Sequence, residues 1–489
     1  MSLKICTLSP QGNGVRNGGI TRFSGILHAE GVDNHFRDLG GNFWNKGMYP
    51  WEGNPFDMET PQDEDSLVAK LNEYDIVLYN TPTYKDNDHE TIRMYRVWKR
   101  LTRPLRITVV HNSIPNAVFK ENLSPLFYGE SDYVLVGTAE GSMVWNEIKS
   151  KIPGSEEKLV HMFNFVNLKE FEPLVKEFED PKSRDNNVLW MGRYEMCRDT
   201  NRLQQVVKHL NESNYGSSLD FYAMGLENDT MTYWSFYNPN PDLGRLSTKV
   251  IDSTSPNGVL TPEGRFDRDG IRSMLKNVVE PNQLKVFGRY RHADGMRLMA
   301  SSKFGVETYG PWNDKVVEAY SKGSKIEYAM IEIMALSVPV FDGKYLSLLE
   351  RTELHDSEFC FKIHKGQTPE QSVSLVKDME KLAGDPKRYR EAREWSLDYV
   401  RRHHSVSAFF DLLEDLHRKG KTTKPGDAKV LHSLYGKPVE LTDDLWPSFY
   451  HSKRGVPHYW SMVVKDPKKK KPEYKRVIAP KGGSPEEDE

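Results

Sequence analysis

The chain predicts two doubly wound α/β domains in series, joined by a charged linker and closed by a final amphipathic helix. Three observations carry this expectation. Short apolar runs of strand length alternate with helix-length amphipathic segments through residues 3–363, the pattern of parallel sheets covered by helices on both faces. One polar stretch, LKEFEPLVKEFEDPKSRDNN at 168–187, interrupts the alternation. The chain also has 489 residues, more than one hydrophobic core usually accommodates, so two domains of roughly 150–200 residues are the default. The expected layout is a first domain over 1–167, a linker over 168–187, a second domain over 188–400, a closing helix over 401–419 and a partly disordered extension over 420–489.

Composition narrows the class. A hydrophobic share of 37% and a charged share of 28% suit a soluble globular enzyme. Cys6, Cys197 and Cys360 are far apart, make no metal spacing and no disulfide framework, which fits a reducing cytoplasm. The opening MSLKICTLSP reads as a first strand and not as a signal peptide. No run approaches the ~20 apolar residues that span a bilayer, so no membrane partner is expected. A net charge of −3 excludes a globally basic nucleic-acid binder; a polyanion would be held by local patches.

Taken in order, Leu3 to Leu8 is a strand, followed by a glycine-rich loop, Gly12 to Gly19, and a helix opening at Ile20. Strand, glycine loop and helix bring backbone N–H groups and a helix N-terminus against a ligand, although no full dinucleotide or P-loop fingerprint is present. Asp33 to Asp65 reads as an irregular excursion. Tyr74 to Asn80 is a buried strand. A helix from His89 to Leu101 carries Arg93, Arg96, Lys99 and Arg100, and two readings stay open for it: a solvated face, or one wall of a phosphate-backbone groove. Ile107 to Val110 is the next strand and ends at His111-Asn112-Ser113. Ligands lie at the carboxyl ends of strands in open α/β sheets, so His111 is either a site residue or a structural histidine. Tyr133 to Val136 and His161 to Val166 complete the first set of strands.

The second domain opens with a strand that starts at Val188 and ends at Gly192, with Arg193 and Arg198 on the loop that follows. Two cations at a strand end beside a helix (Asn201 to Leu210) suit a diphosphate, at about 1.5–3 kcal/mol for each charge-assisted bond. Leu219 to Ala223 is a strand. Glu227 to Asp267 reads as a long loop insertion. Gln283 to Phe287 is a strand leading to Arg289 and Arg291, then a helix over Asp294 to Ser301 and a strand over Lys303 to Thr308. Lys325 to Leu336 is a short, largely apolar helix carrying Glu327 and Glu332, and it runs into a strand, Val338 to Phe341. Burying a carboxylate is costly unless it is paired or hydrogen-bonded. Either these glutamates receive ribose or sugar hydroxyls, or one is exposed and one is satisfied by a neighbouring Arg. Phe359 to Ile363 is a further strand. Helices follow over Thr368 to Ala383, Pro386 to Val400 and Ser405 to Lys419. Asp466 to Glu489, with its KKKK run, is expected to be mobile; the lysines are either a solvated tail or a tether to DNA.

Two α/β domains, a linker and a closing helix resemble the GT-B architecture of glycosyltransferases, two Rossmann-like domains facing a central cleft. Gly192-Arg193, Arg198, Glu332 and Pro339-Val340 resemble the donor site of its retaining members, with Ser324 standing where their first Glu is usual and Ser337 where a Gly is usual. A narrower resemblance covers most of residues 3–419. Gly19-Ile20-Thr21-Arg22-Phe23-Ser24, His111, Asn164-Phe165, Gly192-Arg193 with Arg198, Gly225-Leu226-Glu227, Glu327-Tyr328 with Glu332, and Pro339-Val340-Phe341 are similar, in order, to the DNA α-glucosyltransferases of T-even bacteriophages. That family has an Asp after its His and then a second His; Asn112 and Ser113 stand here, and Asn cannot accept a proton near neutral pH.

The resemblance implies transfer of a sugar, most simply glucose from UDP-glucose, to the hydroxymethyl group of a modified pyrimidine in double-stranded DNA, with retention and base flipping. Arg193 and Arg198 would bind the diphosphate, Glu332 and Glu327-Tyr328 the ribose and sugar, and Gly18 and Gly19 would let backbone approach from the first domain. His111 and Asn112 would stand at the sugar or the acceptor hydroxyl. Arg93, Arg96, Lys99, Arg100, Arg289 and Arg291 would grip the DNA backbone. It implies no bound cofactor, no required divalent metal, and a monomer in the cytoplasm of an infected bacterium. Two other readings stay open: a retaining GT-B enzyme acting on a glycan, lipid or small molecule, and a catalytically inactive DNA- or sugar-binding homologue.

Overall fold

The computed structural model describes residues 3–9, 18–36, 63–80, 88–111, 124–138, 140, 142–151, 154–191, 201–224, 249–251, 282, 284–287, 292–307, 328–342, 353–354, 357–362, 368–422, 461–464 and 473–476. Among these residues the chain forms two parallel sheets and one separate antiparallel pair of strands.

The first sheet is built from β1 (Ile5–Ser9), β2 (Asp33–Phe36), β3 (Ile76–Asn80), β4 (Leu105–Val110), β5 (Tyr133–Val136) and β6 (Leu159–His161). They stand in the order β2-β1-β3-β4-β5-β6, every neighbouring pair parallel. Every residue of β3, β4 and β5 is buried, as a strand covered on both faces requires. The accompanying helices are α1 (Gly18–Ala29), α2 (Glu64–Leu71), α3 (Asp88–Arg100), α4 (Ser124–Glu130) and α5 (Met143–Lys151). The strand pleat divides the core. Val77 and Tyr79 pack with Leu67 and Leu71 of α2 and with Met94 and Trp98 of α3. Ile76 and Leu78 face the other way, onto Phe23, Ile26 and Leu27 of α1.

The second sheet is preceded by α6 (Glu172–Glu177) and contains β7 (Asp185–Met191), β8 (Asp220–Met224), β9 (Lys249–Ile251), β10 (Leu284–Phe287), β11 (Ser302–Glu307), β12 (Val340–Asp342) and β13 (Phe361–Lys362). Its order is β13-β12-β11-β7-β8-β10-β9, again all parallel. The chain starts in the middle with β7 and winds outward to both sides, the doubly wound Rossmann arrangement, with one extra strand, β9, at the edge. Its helices are α7 (Asn201–Glu212), α8 (His292–Ser301), α9 (Tyr328–Ala335), α10 (Pro369–Gly384), α11 (Pro386–His403) and α12 (Val406–Lys419). Leu189 and Met191 pack on α9 and α11, while Val188 and Trp190 pack on α7 and α10.

The closing helix crosses back to the first domain. Val406, Phe409, Leu413 and Leu416 of α12 enter the first domain's core beside Phe23 and Leu78, and Phe409 stacks on Phe165 at 4.3 Å. The two chain crossings between the domains lie side by side. Val166 N–H donates to His404 O at 2.8 Å, Val406 N–H donates to Val166 O at 2.9 Å, and the His404 ring Nδ1 sits 2.7 Å from Asn164 O.

Several segments differ from the sequence expectation. The stretch 168–187 is not an open linker: Phe171 and Phe178 are buried in the second domain's core and bracket α6. Arg184 and Arg393 cement it, donating from Nε to Phe178 O at 3.2 Å and from Nη2 to the same oxygen at 3.0 Å. Two elements emerge from stretches without strong periodicity, β2 and α2; α2 is capped by Asp63, whose side chain accepts from Ser66 N–H at 2.7 Å. The strand expected over 161–166 ends at His161, because the following residues form the crossing. β9 lies inside the expected loop insertion. Within the stretch expected to be mobile, Glu473–Arg476 pairs as β15 with β14, Ser461–Val464. No helix among the described residues is long and apolar enough to cross a membrane.

Candidate active site

Each sheet has a switch point, where successive strands send their helices to opposite faces and a crevice opens at the carboxyl ends. In the first sheet it lies between β1 and β3: α1 follows β1 on the Ile76/Leu78 face and α3 follows β3 on the Val77/Tyr79 face. In the second sheet it lies between β7 and β11. Gly18 and Gly19 open α1, so the first turn of that helix stands at the first crevice, where backbone N–H groups favour an anion.

Asn80 ends β3, and His111 directly follows β4, its neighbour. Both are buried, His111 being 6% exposed. His111 Nε2 lies 2.7 Å from Asn80 Oδ1, and Asn80 Nδ2 donates to Ser24 Oγ on α1 at 2.9 Å. With the amide nitrogen committed to Ser24, the amide oxygen is the acceptor, so Nε2 carries the imidazole proton. Phe23 presents an edge to the ring at 5.1 Å.

On the facing domain, α9 places Glu332 toward α1. The helix approaches β11 closely at Gly305: a Cβ there would lie 2.3 Å from Ile333 Cγ2. The turn after α9 carries Ser337 with φ of 58°, a left-handed conformation that explains why Gly is usual at this position. Ser337 Oγ donates to Arg393 O at 3.1 Å, and Arg393 Nε donates to Ser337 O at 3.2 Å, which holds the strained residue in place.

Glu332 is 6% exposed and Arg22 of α1 is 3% exposed. Arg22 Nη2 lies 2.8 Å from Glu332 Oε1 and 3.6 Å from Glu170 Oε2. A cation from the first domain thus stands between two carboxylates from the second domain and the segment docked on it. Burial pushes the Glu170 carboxyl above its ordinary range, with the neighbouring Glu332 adding to the rise and Arg22 opposing it. Tyr328, at the start of α9, packs against the cores of both domains. Of the two alternatives left open for the glutamates, Glu332 is the buried one with an Arg partner.

The predicted site residues divide into groups. His111, Tyr328, Glu332 and the first turn of α1 lie on elements that meet at the cleft. Asn112, Gly192, Arg193, Arg198, Arg289, Arg291 and Glu327 lie outside the described residues; β7 ends at Met191, immediately before Gly192. Arg93 lies on α3. Arg96 faces Glu64 of α2 at 3.7 Å and Arg100 pairs with Asp65, while Lys99 stands over the Tyr95 ring at 5.6 Å. Lys99 and Arg100 occupy the last turn of α3, which leads into β4 at the amino end of the sheet, away from His111. Sequence reasoning assigned no role to Ser24, Arg22, Asn80 or Glu170. Asn80 carried the same signal as His111, a polar residue closing an apolar strand.

No family model and no curated protein matches the chain. Solved structures do. An α-glucosyltransferase in complex with UDP-glucose and DNA containing an abasic site is 13% identical with a TM-score of 0.60, covering 86% of this chain and 100% of that one. An α-glucosyltransferase in complex with UDP is 14% identical with a TM-score of 0.57, covering 85% and 100%. Anabaena HepE in complex with UDP and glucose is 13% identical with a TM-score of 0.51, covering 86% and 100%. The chain therefore has the GT-B fold.

Proposed function

We propose that the protein is a retaining glycosyltransferase that moves a sugar, most simply glucose, from a UDP-sugar to the hydroxymethyl group of a modified pyrimidine in duplex DNA. The observation that carries the donor half is Glu332: a buried carboxylate on a helix closing the second domain's side of the cleft, set beside a cation from the opposite domain. A ribose diol supplies hydroxyl donors that such a carboxylate accepts. Arg193 and Arg198 follow β7 in the chain and would neutralise the leaving diphosphate, the largest electrostatic contribution to such a transfer. Glu327 and Tyr328 would hold the ribose or sugar, and Gly18-Gly19 would admit the diphosphate to the N-terminus of α1.

In a same-face displacement the anomeric C–O bond to the diphosphate breaks as the bond to the acceptor oxygen forms. The acceptor proton then passes to a diphosphate oxygen on that face. His111, with its Nε2 proton held by Asn80, would orient the sugar or the acceptor hydroxyl. No carboxylate beside it is required in this role, which suits Asn112. Reaching a base inside a duplex requires flipping it out, at a few kcal/mol. Arg289 and Arg291 would contact the backbone, with Arg93, Arg96, Lys99 and Arg100 as the further basic surface. The setting is the cytoplasm of an infected bacterium, with the protein acting as a monomer.

One observation favours a second reading, in which the acceptor is a glycan, lipid or small molecule. The ion pairs of Arg96 and Arg100 with Glu64 and Asp65 give those cations an internal role. Incubation with radiolabelled UDP-sugars tests the shared core of both readings: release of labelled sugar or its transfer is expected, and no turnover of any UDP-sugar would contradict both. A salt titration with plain duplex separates them. Binding that weakens steeply as salt rises is expected for the DNA reading; affinity unchanged by salt would remove it.

A further inference from the structure

Arg184 and Arg393 are buried, and among the described residues their guanidiniums donate to backbone carbonyls. Arg184 Nε donates to Phe178 O at 3.2 Å, Nη1 to Ser302 O at 3.4 Å and Nη2 to Leu336 O at 3.1 Å. Arg393 Nε donates to Ser337 O at 3.2 Å, Nη2 to Phe178 O at 3.0 Å and Nη1 to Glu179 O. These acceptors lie just past the carboxyl ends of three helices. Phe178 and Glu179 follow α6, Ser302 follows α8, and Leu336 and Ser337 follow α9. Helix carboxyl ends carry orphan carbonyls and a partial negative charge, so the two buried cations are compensated where three helices converge. Phe178 O accepts from both arginines, which joins them into one clamp.

The clamp matters most for α9. Met330, Ile331, Ile333, Met334 and Ala335 of that helix are buried, but apolar contact is non-directional and does not by itself fix a helix of eight residues along its axis. Hydrogen bonds from charged donors are directional and among the stronger ones. Leu336 N–H donates to Glu332 O at 3.1 Å, so one hydrogen-bonded turn separates Glu332 from the first carbonyl that an arginine holds. We propose that Arg184 and Arg393 are positioning residues of the donor site: by holding the Leu336 and Ser337 carbonyls they fix α9 along its axis, and with it the carboxylate of Glu332. This rests on the reading of Glu332 as the ribose-binding carboxylate. The arginines act from the far end of the sheet. Arg184 directly precedes β7 and Ser302 opens β11, whereas ligands of such sheets lie at the carboxyl ends of the strands. Their effect on the nucleotide therefore runs through α9 and not through contact.

The test is calorimetric titration of the full chain with UDP, paired with urea unfolding of each variant. R393K and R184K keep the charge and lose the planar fork that reaches three carbonyls at once. Each is expected to weaken UDP binding on the order of tenfold in buffer without urea, where it is folded. L375A is the control, because Leu375 of α10 is buried in the core on the other face of the sheet. It is expected to lower the urea midpoint at least as far and yet to bind UDP as wild type does. In a thermodynamic cycle with Glu332→Gln, R393K is expected to add no further loss, since its effect runs through Glu332. Lysine variants that bind UDP as wild type does, losses that add in full to that of Glu332→Gln, or an equal loss in L375A would overturn the positioning role alone. So would failure of both lysine variants to fold, which would make the pair a requirement of the fold itself. Glu332→Gln that binds UDP as wild type does would overturn the reading of Glu332 on which the role rests, and a wild-type protein that binds no UDP would overturn the donor reading altogether.

Discussion

Asn80 Oδ1 lies 2.7 Å from His111 Nε2, joining the carboxyl ends of two adjacent strands. Because Asn80 also donates to Ser24, helix α1, strand β3 and the residue after β4 act as one unit around the imidazole. Asn80→Ala would remove the acceptor at Nε2 of the ring. We expect kcat for sugar transfer to fall about tenfold or more with little change in KM for the UDP-sugar, measured by steady-state kinetics. Unchanged kcat would show that His111 has no part in the transfer.

Gly305 decides how close α9 comes to β11. Gly305→Ala would drive a methyl into Ile333 Cγ2 and is expected to cost about 1–3 kcal/mol in urea unfolding. UDP binding should weaken as well, since the same helix carries Glu332. Adding Ile333→Ala should recover part of the affinity by opening the contact. An alanine at 305 without loss of stability would show that α9 sits less tightly on the strand.

Ser337 holds a left-handed backbone at φ of 58° while its hydroxyl bonds Arg393 O. Ser337→Ala keeps the strain and loses the bond, at about 1 kcal/mol. Ser337→Gly loses the bond but relieves roughly the same amount of strain, so it should lie near wild type. Denaturant unfolding of the two variants checks the ordering, glycine above alanine; an alanine variant as stable as the glycine variant would show that the backbone at 337 carries no strain.

His161 closes β6 against Phe163, ring centroids 4.5 Å apart, and burial pulls its imidazole down to about 4 from an ordinary value of 6.5. The unfolded chain therefore takes up a proton at a pH where the folded one does not. Stability from this group is fully present above pH 6.5 and is lost as pH falls toward about 4. With part of the ring reached by solvent, the loss should be on the order of 1–2 kcal/mol. His161→Phe keeps the aromatic contact without the titration, so the stability difference between variant and wild type should widen in the variant's favour as pH drops. A difference independent of pH would place the ring in water.

How much of this was legible in the sequence follows the physics of each segment. β3, β4 and β5 are buried on both faces, so their apolar runs are uninterrupted and unmistakable. Among the described residues β2, of sequence DNHF, stands at the sheet edge and pairs with β1, and α2 buries only Leu67 and Leu71 among its described helical residues; neither carries a strong pattern. Phe171 and Phe178 were the visible clue that residues 168–187 dock on the second domain, masked by the charges between them. His111 was legible because a polar residue ended an apolar run, and Asn80 could have been found by the same sign. The pairing of Arg22 with Glu332 was not legible, because it depends on how two separately folded sheets face each other.

The most direct measurement of the central claim is mass spectrometry of nucleosides after duplex DNA carrying hydroxymethylcytosine or hydroxymethyluracil is incubated with the protein and a panel of UDP-sugars. The predicted result is a hydroxymethylpyrimidine nucleoside heavier by one sugar residue, formed with one or more of the donors and lost in Glu332→Ala. Consumption of a UDP-sugar with no modified nucleoside in any duplex would contradict the DNA acceptor, and no consumption of any donor would contradict the transferase itself.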